Sequence, residues 1–312
     1  TSIGLFLGTL SIIVIERSYW YMLQQDIDEG GEFSYILIFM GRKHAFVVGW
    51  FLFLAYLSLV PLNATAFPLV LDKLAPGVLN WGYLYTIAGD PVHVGEVLIS
   101  AIIVLVFTAL NLRGTKQSGK AQFWIVAAMV VCVAAVFMGM LFRADLDAFR
   151  HNYVDGWHFD LGQVAAVVAI TPFLFIGFDA VPQLVKDLGV SRHKASLMAV
   201  ASLLIGMGCY ILLNFATGLA YGPEEAQALD WALGSGVLTY LGMTGFLMLI
   251  IPLGAAVSGG INGFMICATK LISSMGRHNI LPRRFGVATA NGIQRHSILF
   301  VTVISIFACF FG

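Results

Sequence analysis

Thr171–Gly189 reads TPFLFIGFDAVPQLVKDLG, and it lies in one of the most apolar parts of the chain. Yet Gly177, Asp179 and Pro182 stand close together within it. In hydrocarbon an unsatisfied backbone group is expensive, so a helix is interrupted only where protein or water takes up the freed groups. Pro182 has no N–H and its ring collides with the carbonyl of Phe178. Gly177 permits backbone angles that other residues avoid. Asp179 suits the start of a helix, where its carboxylate accepts from the N–H of Val181. The residues alone leave two accounts open. One is a proline kink with Asp179 near the interface, a short distance before Lys186. The other is a discontinuous helix whose outer half ends near Phe175–Ile176 and whose inner half starts near Asp179. In the second account the carbonyls of Phe173 to Ile176 are left unpaired near mid-membrane and favour a cation such as an ammonium group. Broken helices at the midplane point to the binding site of a secondary transporter.

The surrounding chain sets the class. Of its 312 residues 59% are hydrophobic and 11% charged, and the mean hydropathy is +0.88. Soluble domains carry about 25% charged residues. The deficit comes with long apolar runs, so an all-α, polytopic transmembrane helical bundle is expected. Eight spanning segments can be marked, at about 1–23, 46–71, 94–112, 122–142, 163–186, 196–221, 237–269 and 297–312. Their length excludes a barrel, whose strands alternate over about 10 residues. The formal net charge of zero offers nothing to nucleic acid. Cys132, Cys209, Cys267 and Cys309 stand singly in or beside apolar runs, as small buried residues do, and suggest neither a disulfide framework nor a metal site.

Thirteen Lys and Arg fall in the first, third, fifth and seventh connections and three (Lys73, Arg143, Arg150) in the others, while Arg17 lies within the first segment. The positive-inside rule therefore turns the odd connections to the cytoplasm. Trp157 and Trp231 then sit at outer segment ends, as an aromatic belt requires. The stretch 24–45 is expected to form a short cytoplasmic interfacial helix and 143–162 an outer loop. The chain begins at Thr1 and ends at Gly312 inside apolar runs, so it is expected to be part of a longer protein with a further helix before Thr1.

Four motifs, in order, carry a resemblance. They are EGGEFSY (Glu29–Tyr35) followed by Gly49–Trp50, NLRGTKQSGKAQ (Asn111–Gln122), FLFIGFDAVPQ (Phe173–Gln183) and ATKLISSMGRHNILP (Ala268–Pro282). Together they resemble the amino acid–polyamine–organocation superfamily of permeases. The resemblance implies a five-plus-five inverted-repeat fold, with this chain supplying about core helices two to nine as a single transmembrane domain over 1–312. It implies a secondary transporter of an amino acid or small amine in the plasma membrane, without cofactor or metal and coupled to a proton or sodium. The substrate amine would meet the backbone of Phe173, Leu174, Phe175 and Ile176 beside Gly177, Phe173 would gate the site, and Asp179 would follow the break. Tyr56 and Phe264 would line the pocket. There are departures: Lys186–Asp187 stands where an acidic pair is common, Arg277-His278-Asn279 replaces an Arg-Asp-Gly run, Lys270 replaces an arginine, and 123–142 holds no lysine.

Other polar residues in apolar segments are weighed on chemistry. Glu16–Arg17 reads as a structural pair near the cytoplasmic end, and Glu96 as an interface residue. Ser258, Gly259, Gly260, Asn262 and Gly263 form a stripe in the seventh segment. Gly259 and Gly263 fit close helix packing, or else the stripe is a pocket wall with Ser258, like Asp179, near a coupling ion. The sequon Asn63-Ala-Thr65 falls inside a span and is discounted. An intramembrane enzyme is disfavoured, since HExxH, GxSxG and paired intramembrane acids are absent from the sequence. A non-transporting sensor on the same fold, or a transporter of polyamines or other organocations, is the alternative function.

Overall fold

A computed structural model describes residues 1–24, 30–87, 89–144, 146–155, 160–181 and 191–311. Within them the order is α1 (Ser2–Gln24), α2 (Glu32–Phe39), α3 (Arg42–Leu74), β1 (Tyr83–Ile87), β2 (Asp90–His93), α4 (Val94–Leu112), α5 (Thr115–Arg143), α6 (Leu146–Arg150), α7 (Leu161–Leu174), α8 (Arg192–Ala220), α9 (Pro223–Ala228), α10 (Ala232–Arg277) and α11 (Arg295–Ala308). Among the described residues seven helical segments are long and apolar enough to cross a membrane, Leu161–Ala180 being counted across the end of α7, and Arg295–Phe311 is a shorter apolar one. These eight coincide with the eight segments marked from hydropathy. The protein is thus an integral, multi-pass helical membrane protein.

The helices form because a backbone in hydrocarbon must satisfy its own polar groups. Their outer faces stay apolar: Phe142 is 80% and Leu161 70% exposed on the isolated chain. The largest departure from the marked segments is α10. It spans 46 residues, and Gly242 interrupts its helical angles at φ 67°, ψ −164°. It is thus two helices meeting at Gly242, of which the second, running to Arg277, is at about 1.5 Å per residue still longer than the ~30 Å hydrocarbon layer. Hydropathy marks only the apolar part of such a helix, while the intrahelical hydrogen bonds continue into its polar ends.

The chain divides into two compact units, each assembled from three separate stretches. Unit 1 comprises Thr1–Ser18, Ala127–Phe178 and Ser196–Leu253. Its cores are Val136, Met140, Ala216, Leu219, Val237 and Leu249, and separately Ile12, Phe175 and Leu203. Here α1 lies very close to α7. A Cβ on Gly8 would stand 2.3 Å from the Thr171 hydroxyl oxygen, and one on Gly4 would stand 2.6 Å from Val167 Cβ. This is a small-xxx-small approach of two helices.

Unit 2 comprises Tyr19–Val126, Asp179–Ala195 and Gly254–Gly312. Its core gathers Phe33, Phe53, Tyr56, Ile261, Met265, Leu271 and Met275 from α2, α3 and α10. α3 packs on α2 and α4, and α11 packs on both α3 and α4. A hairpin precedes α4, with Tyr83 opposite His93 and Ile87 opposite Asp90. Hydropathy passed over it, although YLYTI has the aromatic and β-branched content of a strand. The Glu96 carboxylate then caps α4, accepting from the His93 N–H at 2.8 Å.

Of the expected interfacial helix in 24–45, α2 is described; Phe33, Ser34 and Tyr35 are buried and Ile38 and Phe39 exposed. Residues 25–29 lie outside the described residues. The stretch 143–162, expected as an outer loop, contains a short helix (α6) and a π turn (His151–Asp155). Trp157 lies outside the described residues, as do Pro182, Lys186 and Asp187.

Candidate functional site

α7 begins on Asp160, whose carboxylate accepts from the N–H groups of Gly162 and Gln163. It ends at Leu174. Residues 175–177 make a turn, with Gly177 at φ 107°, and a single 3₁₀ turn follows over Phe178–Ala180. A side chain at Gly177 would be strained whatever space surrounds it, because that φ is open chiefly to glycine. Pro172, inside α7, carries no N–H and loosens the last turn before the helix stops. An inner helical half beyond 181 falls outside the described residues.

Of the four carbonyls expected to be unpaired, those of Phe173, Leu174 and Phe175 have a partner. Phe173 O accepts from the Ile176 N–H and Phe175 O from the Phe178 N–H, both at 3.4 Å. Leu174 O accepts from the Tyr210 hydroxyl of α8 at 3.0 Å. The two longer bonds exceed the usual N–H···O range and are weak, and every carbonyl keeps a second lone pair. Phe175 is buried, edge-on to Tyr210 with ring centroids 5.5 Å apart. Phe173 is 61% exposed on the described chain. Phe175 thus fixes the turn within unit 1, while Phe173, in the last turn of α7, stands exposed.

On the other side of the unit boundary Asp179 belongs to unit 2. The Tyr56 hydroxyl of α3 donates to its Oδ2 at 2.6 Å. Such a length is typical of a charge-assisted O–H···O⁻ bond. The Tyr56 ring lies nearly parallel to that of Phe264 of α10, with centroids 6.4 Å apart and planes 25° from parallel. Tyr56 is 1% and Phe264 8% exposed. Within unit 2 the fold therefore joins three of the expected site residues, distant in sequence, through one hydrogen bond and one ring stack. Ser258 is half-buried on α10 and makes no hydrogen bond among the described residues.

Beside this cluster runs a buried polar ladder that hydropathy did not single out. Gln122 of α5 accepts through Oε1 from Asn262 Nδ2 at 3.1 Å. Asn111 of α4 donates through Nδ2 to Asn262 Oδ1 at 3.0 Å and to Phe107 O at 2.9 Å. Asn111 and Gln122 are the first and last residues of the NLRGTKQSGKAQ motif, so Asn262 of α10 clasps the two ends of that connection. The Thr108 and Thr302 hydroxyls pair nearby at 2.8 Å. The signal was in the sequence as three amides in apolar segments.

The glycine stripe behaves differently from the expected spacing. A Cβ on Gly259 would meet Gln122 and one on Gly260 would meet Asn63, whereas one on Gly263 would meet nothing within 4 Å. Adjacent Gly259 and Gly260 admit amide side chains; Gly259 and Gly263 do not form one packing face. In unit 1 Glu16, expected to pair with Arg17, also has a hydroxyl donor. Glu16 is 3% exposed and accepts from the Ser196 hydroxyl at 3.0 and 3.2 Å. Arg17, the next residue along the helix, turns to the exposed side.

A small cavity in unit 2, about 30 Å³, is lined by Asn111, Thr269, Lys270 and Gln294 among others. It has room for about one water molecule and is too small for an amino acid. Among the described residues no three His, Cys, Asp or Glu side chains gather as metal ligands.

Residues 2–312 match the family described as "Amino acid permease". Similar proteins include the gamma-aminobutyric acid permease of Escherichia coli (23% identical over 90% of this chain). Others are the glutamate/serine transporter AimA of Bacillus subtilis (22% over 96%) and the branched-chain amino acid permease BcaP of Lactococcus lactis (21% over 89%). The chain spans 59%, 57% and 61% of the lengths of those three relatives. With the match running from residue 2 to residue 312, the chain belongs to the amino acid permease family.

Proposed function

We propose that the protein containing this chain is a secondary active transporter of an amino acid or small amine, working by alternating access in the plasma membrane, with 1–312 forming part of one transmembrane domain. The observation that supports this best is the Tyr56–Asp179 hydrogen bond against the Phe264 ring, within unit 2. An acid in the membrane-spanning part of a protein is a functional candidate by default. Here its carboxylate is tied to a neighbouring helix, and Asp179 anchors the turn.

In this mechanism the turn interrupts a longer helix, as the resemblance implies. The second lone pairs of the Phe173–Ile176 carbonyls then receive the ammonium group of the substrate. Phe173, exposed in the last turn of α7, closes over it. Tyr56 and Phe264 line the wall that meets the non-ionic part, and a proton or sodium supplies the driving gradient, with Asp179 or Ser258 as its site. Rearrangement of helices around this fixed point alternates access. The relatives named above differ in the substrates their names state, so the shared feature is the amino acid class.

The test is uptake by the full-length protein in proteoliposomes, using a labelled amino acid mixture followed by single amino acids and diamines. Gradient-driven accumulation of an amino acid is expected. Binding without accumulation would identify a sensor instead. A Phe173→Ala variant is expected to raise KM for the transported amino acid at least tenfold; unchanged uptake and affinity would remove Phe173 from the gate.

A further inference from the structure

Two arginines in unit 2 are fixed to a single residue. Asn279 follows the end of α10 and adopts φ 55°, in the left-handed region that asparagine tolerates better than most residues. Its carbonyl accepts from Nη2 of Arg42, the first residue of α3, at 2.8 Å. Its side-chain Oδ1 accepts from Nε of Arg283 at 2.5 Å. A guanidinium carries five N–H donors. Each arginine therefore uses one of its donors on Asn279. Both are exposed, and neither forms an ion pair with a described residue. Lys43 and Arg284 are exposed beside them in sequence, Arg284 over the ring of Phe285 at 5.3 Å.

Two guanidiniums anchored on one asparagine repel each other, and an anion received between their remaining donors removes that repulsion. Planar N–H forks match phosphate oxygens particularly well. What surrounds Arg42 selects the source of the phosphate. Just before it Ile38, Phe39 and Met40 are 60%, 67% and 56% exposed, and just after it Phe46, Val47 and Phe51 are exposed on a membrane-spanning helix. Arg42 thus stands where an apolar surface meets a polar one, which is headgroup level in a bilayer. A free anion has no use for that apolar collar; a phospholipid fills it with acyl chain.

We propose that Arg42 and Arg283, aligned by Asn279, bind the phosphate of an anionic phospholipid. The two arginines lie in the first and seventh connections, which the charge asymmetry places on the same membrane face. The inference rests on the membrane class of the protein and not on its transport activity.

The experiment uses full-length protein in mild detergent, titrated with phosphatidylglycerol or phosphatidylcholine and read by native mass spectrometry as retained lipid. Phosphatidylglycerol is expected to be retained in preference. A basic residue near an anionic lipid contributes about fivefold, so Arg42→Ala with Arg283→Ala is expected to weaken phosphatidylglycerol about 25-fold. Asn279→Gly, which keeps the left-handed backbone but loses the Oδ1 anchor, is expected to fall between. Lys73→Ala, at the other end of α3, is expected to leave retention unchanged. Arg42→Gln with Arg283→Gln serves should the alanine pair fail to fold. Equal phosphatidylglycerol affinity in a folded double variant would overturn the proposal. So would inorganic phosphate displacing the lipid completely at millimolar concentration, which would assign the site to a free anion.

Discussion

Replacing Tyr56 by Phe removes one oxygen and leaves the ring that stacks on Phe264. The lost bond is the 2.6 Å donation to Asp179. Removing one partner of a hydrogen bond to a charged group costs about 1.5–3 kcal/mol, because the other partner is left under-solvated. Each 1.4 kcal/mol is about tenfold in an equilibrium. If the bond holds the 3₁₀ turn of Asp179 in its working position, Tyr56→Phe should lower kcat/KM for uptake by about 10- to 100-fold in full-length protein. Asp179→Asn should do similar damage. The double variant should be little worse than either single one, because both break the same contact. The measurement is a double-mutant cycle on proteoliposome uptake, with protein amount and thermal unfolding in detergent as controls. A coupling energy of at least about 1 kcal/mol is expected for residues in direct contact. Strictly additive losses, or full activity in Tyr56→Phe, would refute the assignment of Tyr56 and Asp179 to one working unit.

Three further outcomes follow from the packing. Asn262→Ala strands the Asn111 and Gln122 amides and should lower stability to detergent-induced unfolding by about 1–2 kcal/mol, the upper part of the range for hydrogen bonds between membrane helices; no change would mean that the ladder is not closed in the bilayer. Gly8→Ala places a methyl carbon 2.3 Å from the Thr171 hydroxyl oxygen and 2.5 Å from the Thr171 Cβ, and overpacking of this kind costs about 1–3 kcal/mol; pairing it with Thr171→Ala, which keeps that Cβ, should recover only part of the loss in melting temperature. Ser196→Ala removes the hydroxyl that Glu16 accepts from and leaves a buried carboxylate without its donor, so it should destabilise more than Glu16→Gln, which keeps an acceptor for Ser196; the opposite order in thermal unfolding would contradict the placement of Glu16 within unit 1.

Much of the protein was legible from residue order alone, and for an identifiable reason. Membrane solvent imposes one rule on every span: twenty or so apolar residues with internally satisfied backbones. Hydropathy therefore located α1, α3, α4, α5, α7, α8, α10 and α11, and the motif order pointed to the permease family. The positive φ of Gly177 was legible, since that conformation is a local property of glycine. Side-chain partners are not local. Glu16 and Arg17 are neighbours in sequence, but a helix turns consecutive side chains about 100° apart, so Glu16 is buried against Ser196 while Arg17 is exposed. Gly259 and Gly263 have packing spacing, yet the facing surfaces bring Gln122 and Asn63 to Gly259 and Gly260. The carbonyls of Phe173, Leu174 and Phe175 found donors in local N–H groups and in Tyr210, which no pattern in Thr171–Gly189 could reveal. The sequence by itself determined which segments enter the membrane and where the chain may bend, because those follow from the solvation of each residue and its backbone freedom. Only the tertiary structure decided that Tyr56, Asp179 and Phe264 meet and that Asn262 clasps Asn111 to Gln122, because such contacts depend on how separate helices are rotated and packed.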